Sequence, residues 1–270
     1  MKLSREERKA GVLTQSTEKR ATQLIIDQGY VVLEKAVPSN LLKKVRKAVN
    51  QALGFKYRAT MEELARHRRH GGVSSPLSMP FIDPLIIENP FVFQILGSIL
   101  GDRFFGCLPY GCNTSFPGSE AQNIHRDCGH IFPEIKVPVP PLLIVVNIAL
   151  DDFKVENGAT EIWPGSHLLV DSEKYETSTL RISNERSSEK HSKQLIMPAG
   201  SIVFRDMRTW HRGMPNRTQE PRTMLSIVYY RQYFLPDNFL ADVSNLPEES
   251  WNQFSEKARA LYRLTRFTSS

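Results

Sequence analysis

With 270 residues, of which 40% are hydrophobic and 24% charged, the chain carries enough apolar material for a proper core. No run of about 18 apolar residues occurs, which excludes a membrane-spanning helix on hydropathy alone. The formal net charge of +6 is spread over segments such as 43–47 and 66–69 without interleaved aromatics, so it reads as a solvated basic face and argues against a nucleic-acid groove.

The first eight residues are charged and lack the apolar core of a secretion signal, so a cytoplasmic location is expected. Residues 1–30 are rich in helix-forming charge pairs, and Gly29 supplies a stop. Residues 30–33 read as a short strand. Pro38-Ser39-Asn40 then caps a helix whose Leu41, Leu42, Val45, Val49 and Leu53 recur at helical spacing. A further helix is predicted over 59–69, a loop over 70–80 and a helix over 90–100 ending at Gly101.

From Arg103 the texture changes to short β-rich runs between Gly, Pro, Asn and Asp: 103–109, 122–126, 142–149, 160–164, 195–198, 201–205 and 223–233. Such spacing predicts a closed or sandwiched antiparallel β-structure. Residues 171–193 are polar and weakly periodic, an excursion with the character of a lid, and the tail from 236 returns to helix. The expected organisation is a single domain over 1–270. Helical support spans 1–100, the β core 101–235 and a helical tail 236–270.

Three cysteines, Cys107, Cys112 and Cys128, make a disulfide framework improbable, and no CxxC zinc pattern occurs. The chemistry points elsewhere. In Gln122-Asn123-Ile124-His125-Arg126-Asp127, a strand would place His125 and Asp127 on one side and Arg126 on the other. His211 follows beyond a later strand. Two imidazoles and a carboxylate on one face of a metal leave the opposite positions open, as an Fe(II) oxygenase requires. Arg222, at the start of the next strand, can fork onto a carboxylate and so anchor a dicarboxylate cosubstrate.

Neighbouring residues compete for these roles. Arg217 is a second candidate anchor but sits in a turn beside Asn216. Asp206 is expected to orient nearby backbone or the second nitrogen of His211, and Trp163 and Trp210 to pack. Cys128 and His130 are read as structural.

Taken in order, these elements resemble the phytanoyl-CoA dioxygenase family of Fe(II)/2-oxoglutarate oxygenases. Asn157-Gly158-Ala159-Thr160 with Pro164-Gly165-Ser166-His167 is similar to one family segment, and His211-Arg212-Gly213-Met214-Pro215-Asn216-Arg217 with Pro221-Arg222 to another. The resemblance spans roughly residues 20–235 and implies a mainly β fold: a double-stranded β-helix, or jelly roll, buttressed by N- and C-terminal helices. It implies iron bound by His125, Asp127 and His211, and the 2-oxoglutarate C5 carboxylate bound by Arg222. Thr160 and Gln122 match positions that assist the cosubstrate, and His167 matches a structural one.

The same resemblance implies Fe(II), 2-oxoglutarate and O₂ as reactants, with ascorbate as an optional reductant and with succinate and CO₂ released. Presence of Asp127 argues against halogenation. The expected reaction is hydroxylation of an unactivated C–H bond in a hydrophobic small molecule, a secondary metabolite. Phe81, Ile82, Phe132, Tyr230, Tyr233 and Phe234 are the expected apolar surround of the mouth. An acyl-CoA hydroxylase and a non-catalytic cupin-like metal-binding protein are the alternatives. No nucleic-acid or membrane partner is expected, and a homodimer is allowed.

Overall fold

The computed structural model describes residues 1–57, 69–132, 134–170, 180–235 and 245–268. The predicted helix over 59–69 and the first part of the lid-like excursion, 171–179, therefore fall almost wholly outside the described residues.

Helix α1 (Arg5–Ala10) starts with a reciprocal capping box, in which Ser4 Oγ accepts from the Glu7 amide and Glu7 accepts from the Ser4 amide. Helix α2 (Gln15–Gln28) is capped by Thr14 and ends at Gly29 in the left-handed region. Strand β1 (Tyr30–Leu33) follows, then helix α3 (Ser39–Tyr57), which buries the predicted stripe of Leu41, Leu42, Val45, Val49 and Leu53. A short helix α4 (Pro84–Ile87) leads to α5 (Pro90–Leu100), capped by Asn89 with proline at its first position and closed by Gly101.

The central sheet has seven strands among the described residues. Besides β1 it contains β2 (His70–Ser74), β3 (Phe105–Gly106), β4 (Gly111–Ser115), β5 (Leu143–Ala149), β8 (Ile202–Asp206) and β10 (Arg222–Tyr230). Their order is β1-β8-β5-β10-β4-β2, with β3 also pairing to β10, and the ladders are antiparallel. A smaller sheet, β7-β6-β9, is made by β6 (Glu161–Ile162), β7 (Lys193–Gln194) and β9 (His211–Arg212). Together the two sheets form the jelly-roll core.

Alternation divides β10 cleanly. Thr223, Leu225, Ile227 and Tyr229 are buried, and Leu225, Ile227 and Tyr229 join the helix-backed core. Arg222, Met224, Ser226 and Val228 point into the cavity between the sheets.

Several expectations are corrected. The predicted loop 70–80 contains β2, whose Gly72 lets it lie against β4: a Cβ there would sit 2.5 Å from the Cys112 carbonyl oxygen. Strand β4 was hidden by its polar composition, because its alternate residues Asn113 and Ser115 face the cavity. Residues 122–126 form no strand, and only His125 makes isolated bridges, to His211 and Arg181. Residues 195–198 likewise lie outside a strand, Met197 bridging Phe153. Within the described part of 171–193 lie helix α6 (Asn184–Ser187) and the first residue of β7. The tail holds helices α7 (Glu248–Asn252) and α8 (Glu256–Leu261), but also the parallel pair β11 (Asn245–Pro247) and β12 (Arg266–Thr268). No helix among the described residues is long and apolar enough to cross a membrane.

Candidate metal centre and cosubstrate cavity

Hydrogen bonds across one bridge bring the two histidines together. His211 N donates to His125 O at 2.8 Å and His125 N to His211 O at 3.0 Å. Asp127 is fixed by its amide, which donates to the Met207 carbonyl at 2.8 Å. Asp127 Oδ1 thereby lies 3.8 Å from His125 Nε2 and 3.7 Å from His211 Nε2, and the three donor atoms fall within 4.8 Å of one another.

The far side of each imidazole is also held. His125 Nδ1 lies 2.8 Å from the Asn123 carbonyl oxygen and His211 Nδ1 3.1 Å from that of Thr209. With those protons donated to backbone, both Nε2 atoms carry lone pairs toward Asp127. Burial, reinforced by the nearby Arg205 cation, pushes His211 down to about 3, so it is a neutral ligand at physiological pH. Burial alone would raise the Asp127 carboxyl, but Arg205 and the imidazoles outweigh it and hold it well below the usual carboxylate range. Two imidazoles and one carboxylate make a donor set that fits a divalent first-row metal with positions left open.

The trio opens onto a cavity of about 640 Å³. Arg222 also lines it, 3% exposed, its Nη2 donating to the Gly158 carbonyl at 2.7 Å and its guanidinium 4.3 Å from the Phe153 ring centre. Arg222 Nε has no hydrogen-bond partner among the described residues. Burial pushes the guanidinium down to about 10, which still leaves it charged at neutral pH. A buried cation with spare donors fits a carboxylate that enters from the cavity.

Thr160 and Gln122 line the same cavity. Gln122 Oε1 accepts from the Gly213 amide at 2.9 Å, so its amide nitrogen is left for the cavity. All six predicted site residues are thus brought together around one space.

The competitors sort themselves by contact. Arg217 is exposed in its turn. Asp206 accepts from the Arg208 amide and forks onto the Arg208 guanidinium at 3.0 and 2.7 Å, so its role is with backbone and Arg208, and the second nitrogen of His211 is left to Thr209. His167 Nε2 contacts the Ile26 carbonyl at 2.9 Å, tying the turn after β6 to α2. Trp210 is fully buried and Trp163 nearly so.

The expected apolar surround of the mouth is not found. Phe81 and Ile82 are buried in the helix-backed core, and Tyr230 stacks on Phe105. Tyr233 is exposed, while none of the six named residues lines this cavity. Its wall is mixed: Val145, Val228, Met207 and Met224 stand beside Asn113, Asn147 and Ser226. Both asparagine amides donate to Ser226 Oγ, at 3.1 and 2.8 Å.

Two further cavity residues escaped the sequence reading. Arg205 touches Asp127, and its signal was a charge directly after the apolar run Ile202-Val203-Phe204. His70, whose Nε2 meets the Glu120 carbonyl at 2.7 Å, lay in the segment read as a loop.

The sequence is 26% identical over 250 residues to dioxygenase olcK of Penicillium canescens, covering 87% of this chain and 78% of that protein. It is 24% identical over 218 residues to the iron/alpha-ketoglutarate-dependent dioxygenase ausU of Aspergillus calidoustus, covering 77% of this chain and 69% of that one. Among solved structures, the fold is similar to that of the epimerase SnoN in complex with Fe3+, alpha ketoglutarate and nogalamycin RO. The TM-score is 0.59 at 18% identity, with 86% of this chain and 91% of that one covered. A family model described as phytanoyl-CoA dioxygenase (PhyH) matches residues 26–224, and the chain belongs to that family.

Proposed function

We propose that the protein is an Fe(II)- and 2-oxoglutarate-dependent dioxygenase that hydroxylates an unactivated C–H bond of a small organic molecule of secondary metabolism. One observation carries the reading: a buried, incompletely paired Arg222 shares a cavity with the His125, Asp127 and His211 donors. A protein that only stored metal would have no use for that cation.

In this reading His125, Asp127 and His211 would hold an iron ion, which when bound would supply O₂- and 2-oxoglutarate-dependent oxidation. Arg222 receives the distal carboxylate of the cosubstrate, with Thr160 beside it, and so sets the distance of the keto-acid end from the metal. Gln122, clamped to Gly213, offers its amide nitrogen to the cosubstrate. The Thr209 and Asn123 carbonyls keep both imidazoles in the metal-binding tautomer. The mixed wall suits an apolar skeleton bearing oxygen functions. Val145, Val228 and the methionines would take the skeleton, and the carbonyl oxygens of Asn113 and Asn147 would accept from hydroxyl groups.

The test is succinate formation by purified protein given Fe(II), 2-oxoglutarate and a fractionated metabolite extract. Succinate that rises with one fraction, together with a product heavier by one oxygen atom, supports the proposal. Absence of iron-dependent succinate at every fraction contradicts it.

A further inference from the structure

Arg205 projects into the cavity from β8, where it stands opposite Tyr30 of β1 and Val145 of β5. It is 5% exposed. Its Nη2 donates to Asp127 Oδ2 at 2.5 Å, and this is the one carboxylate it pairs with among the described residues. The other oxygen of Asp127, Oδ1, is the one that lies 3.8 and 3.7 Å from the two imidazole Nε2 atoms. The two oxygens of one carboxylate are therefore assigned to different partners.

That division matters for a metal ligand. A carboxylate free to turn can offer both oxygens to a cation and occupy two positions. One whose outer oxygen is locked in a charge-assisted hydrogen bond offers only the inner one. Nη1 of Arg205 also lies 3.2 Å from His211 Nδ1, but the tautomer that frees Nε2 places the Nδ1 proton on the Thr209 carbonyl. The hydrogen bond that Arg205 makes is thus to Asp127, and its contact with His211 is steric and electrostatic.

Resting on the metal centre proposed above, we infer that Arg205 is a positioning residue that restricts Asp127 to one-oxygen ligation. The position beside Asp127 then stays open for the cosubstrate. The fixed positive charge also offsets the carboxylate, so that a dianionic cosubstrate meets a less negative site. Arg205 touches Asp127 itself, and it is distinct from Arg222, whose partner is the Gly158 carbonyl.

Cobalt(II) substitution tests this without turnover. The purified full chain and its R205Q, R205K and R222Q variants are titrated anaerobically with Co(II), then with 2-oxoglutarate, following the d–d bands and heat of binding. R205Q is expected to bind cobalt with weaker d–d bands than wild type, because a second carboxylate oxygen raises the coordination number. Its 2-oxoglutarate affinity should fall about tenfold or more, the loss expected for a charge-assisted contact. R205K should recover part of both. R222Q should lose cosubstrate affinity with the cobalt spectrum unchanged before 2-oxoglutarate is added.

An R205Q spectrum identical to wild type in the absence of cosubstrate would overturn the inference even if 2-oxoglutarate binding weakened, because Arg205 would then act on the cosubstrate directly. Should R205Q fail to fold, by its melting transition, R205M decides: a cobalt spectrum and a cosubstrate affinity equal to wild type refute the positioning role. Failure of the wild-type chain to bind cobalt would instead remove the metal centre itself.

Discussion

His125 and His211 exchange backbone hydrogen bonds across an isolated antiparallel bridge, which sets their ring centres 4.2 Å apart. The bridge lets two residues far apart in sequence act as one donor pair, with Asp127 completing the set. H125A, D127A and H211A should each weaken Fe(II) or Co(II) binding by more than about a hundredfold, beyond the roughly 10–100-fold effect of losing an outer partner. Metal content after gel filtration and titration with Co(II) measure this, and full occupancy in any of the three variants would remove that residue from the ligand set.

Arg222 and Arg217 stand five residues apart, one buried in the cavity and one exposed. Loss of a charged hydrogen-bond donor is worth on the order of 1.5–3 kcal/mol, so R222A should raise the 2-oxoglutarate KM by about 10–100-fold. R217A should leave it unchanged, and metal binding should survive both changes. A larger effect at Arg217 would show that the anchor had been assigned to the wrong arginine.

Glu7 gives the molecule an acid-sensitive joint remote from the cavity. Burial raises its pKa, but hydrogen bonds from the Thr14 amide and hydroxyl and the Ser4 amide win and hold it down to about 2, from an ordinary 4.5. Because the folded value is the lower one, the stabilisation is complete above about pH 4.5 and is lost as pH falls toward 2. E7Q should cost about 1–3 kcal/mol at neutral pH and flatten this acid limb. Denaturant unfolding of both proteins between pH 7 and pH 3 reads the difference, and parallel pH profiles would contradict the assignment.

At Gly29 the chain turns from α2 into β1 with φ +84°, and a Cβ would sit 2.4 Å from Thr209 Oγ1 and 2.7 Å from His167 Nδ1. G29A combines left-handed backbone strain with a clash and should destabilise by more than about 2 kcal/mol. Gly54, in α3, meets nothing within 4 Å. G54A should therefore stabilise by about 0.4–1 kcal/mol. Melting temperatures that move in the same direction for both variants would refute this account of the corner.

How far the molecule could be read from its sequence depended on where its side chains pack. Helix α3 was legible because its apolar period and the Pro38-Ser39-Asn40 cap agreed, and α2 and α5 because Gly29 and Gly101 mark their ends. Strand β5 was legible because it is buried on both faces. Strands β2 and β4 were not, since glycines, serines and asparagine that line a cavity look like loop composition. The triad could be named from its spacing, although the strand expected to carry His125 and Asp127 is a loop held by the bridges of His125 to His211 and Arg181 and by the Met207 carbonyl. Arg205 was missed because its importance lies in a contact with Asp127, far away in sequence. Phe81 and Ile82 were misplaced because apolar character alone does not tell a core residue from one beside a cavity.

An iron and 2-oxoglutarate site built from His125, Asp127, His211 and Arg222 has a spectroscopic signature. Anaerobic titration of the purified chain with Fe(II) and then 2-oxoglutarate, followed by visible absorption, tests it most directly. A charge-transfer band is expected only when both are present. That band should saturate at one equivalent of iron, vanish in D127A and require far more cosubstrate in R222A. A chain that binds iron but gives no such band at saturating 2-oxoglutarate, or a D127A variant that gives the same band as wild type, would contradict it.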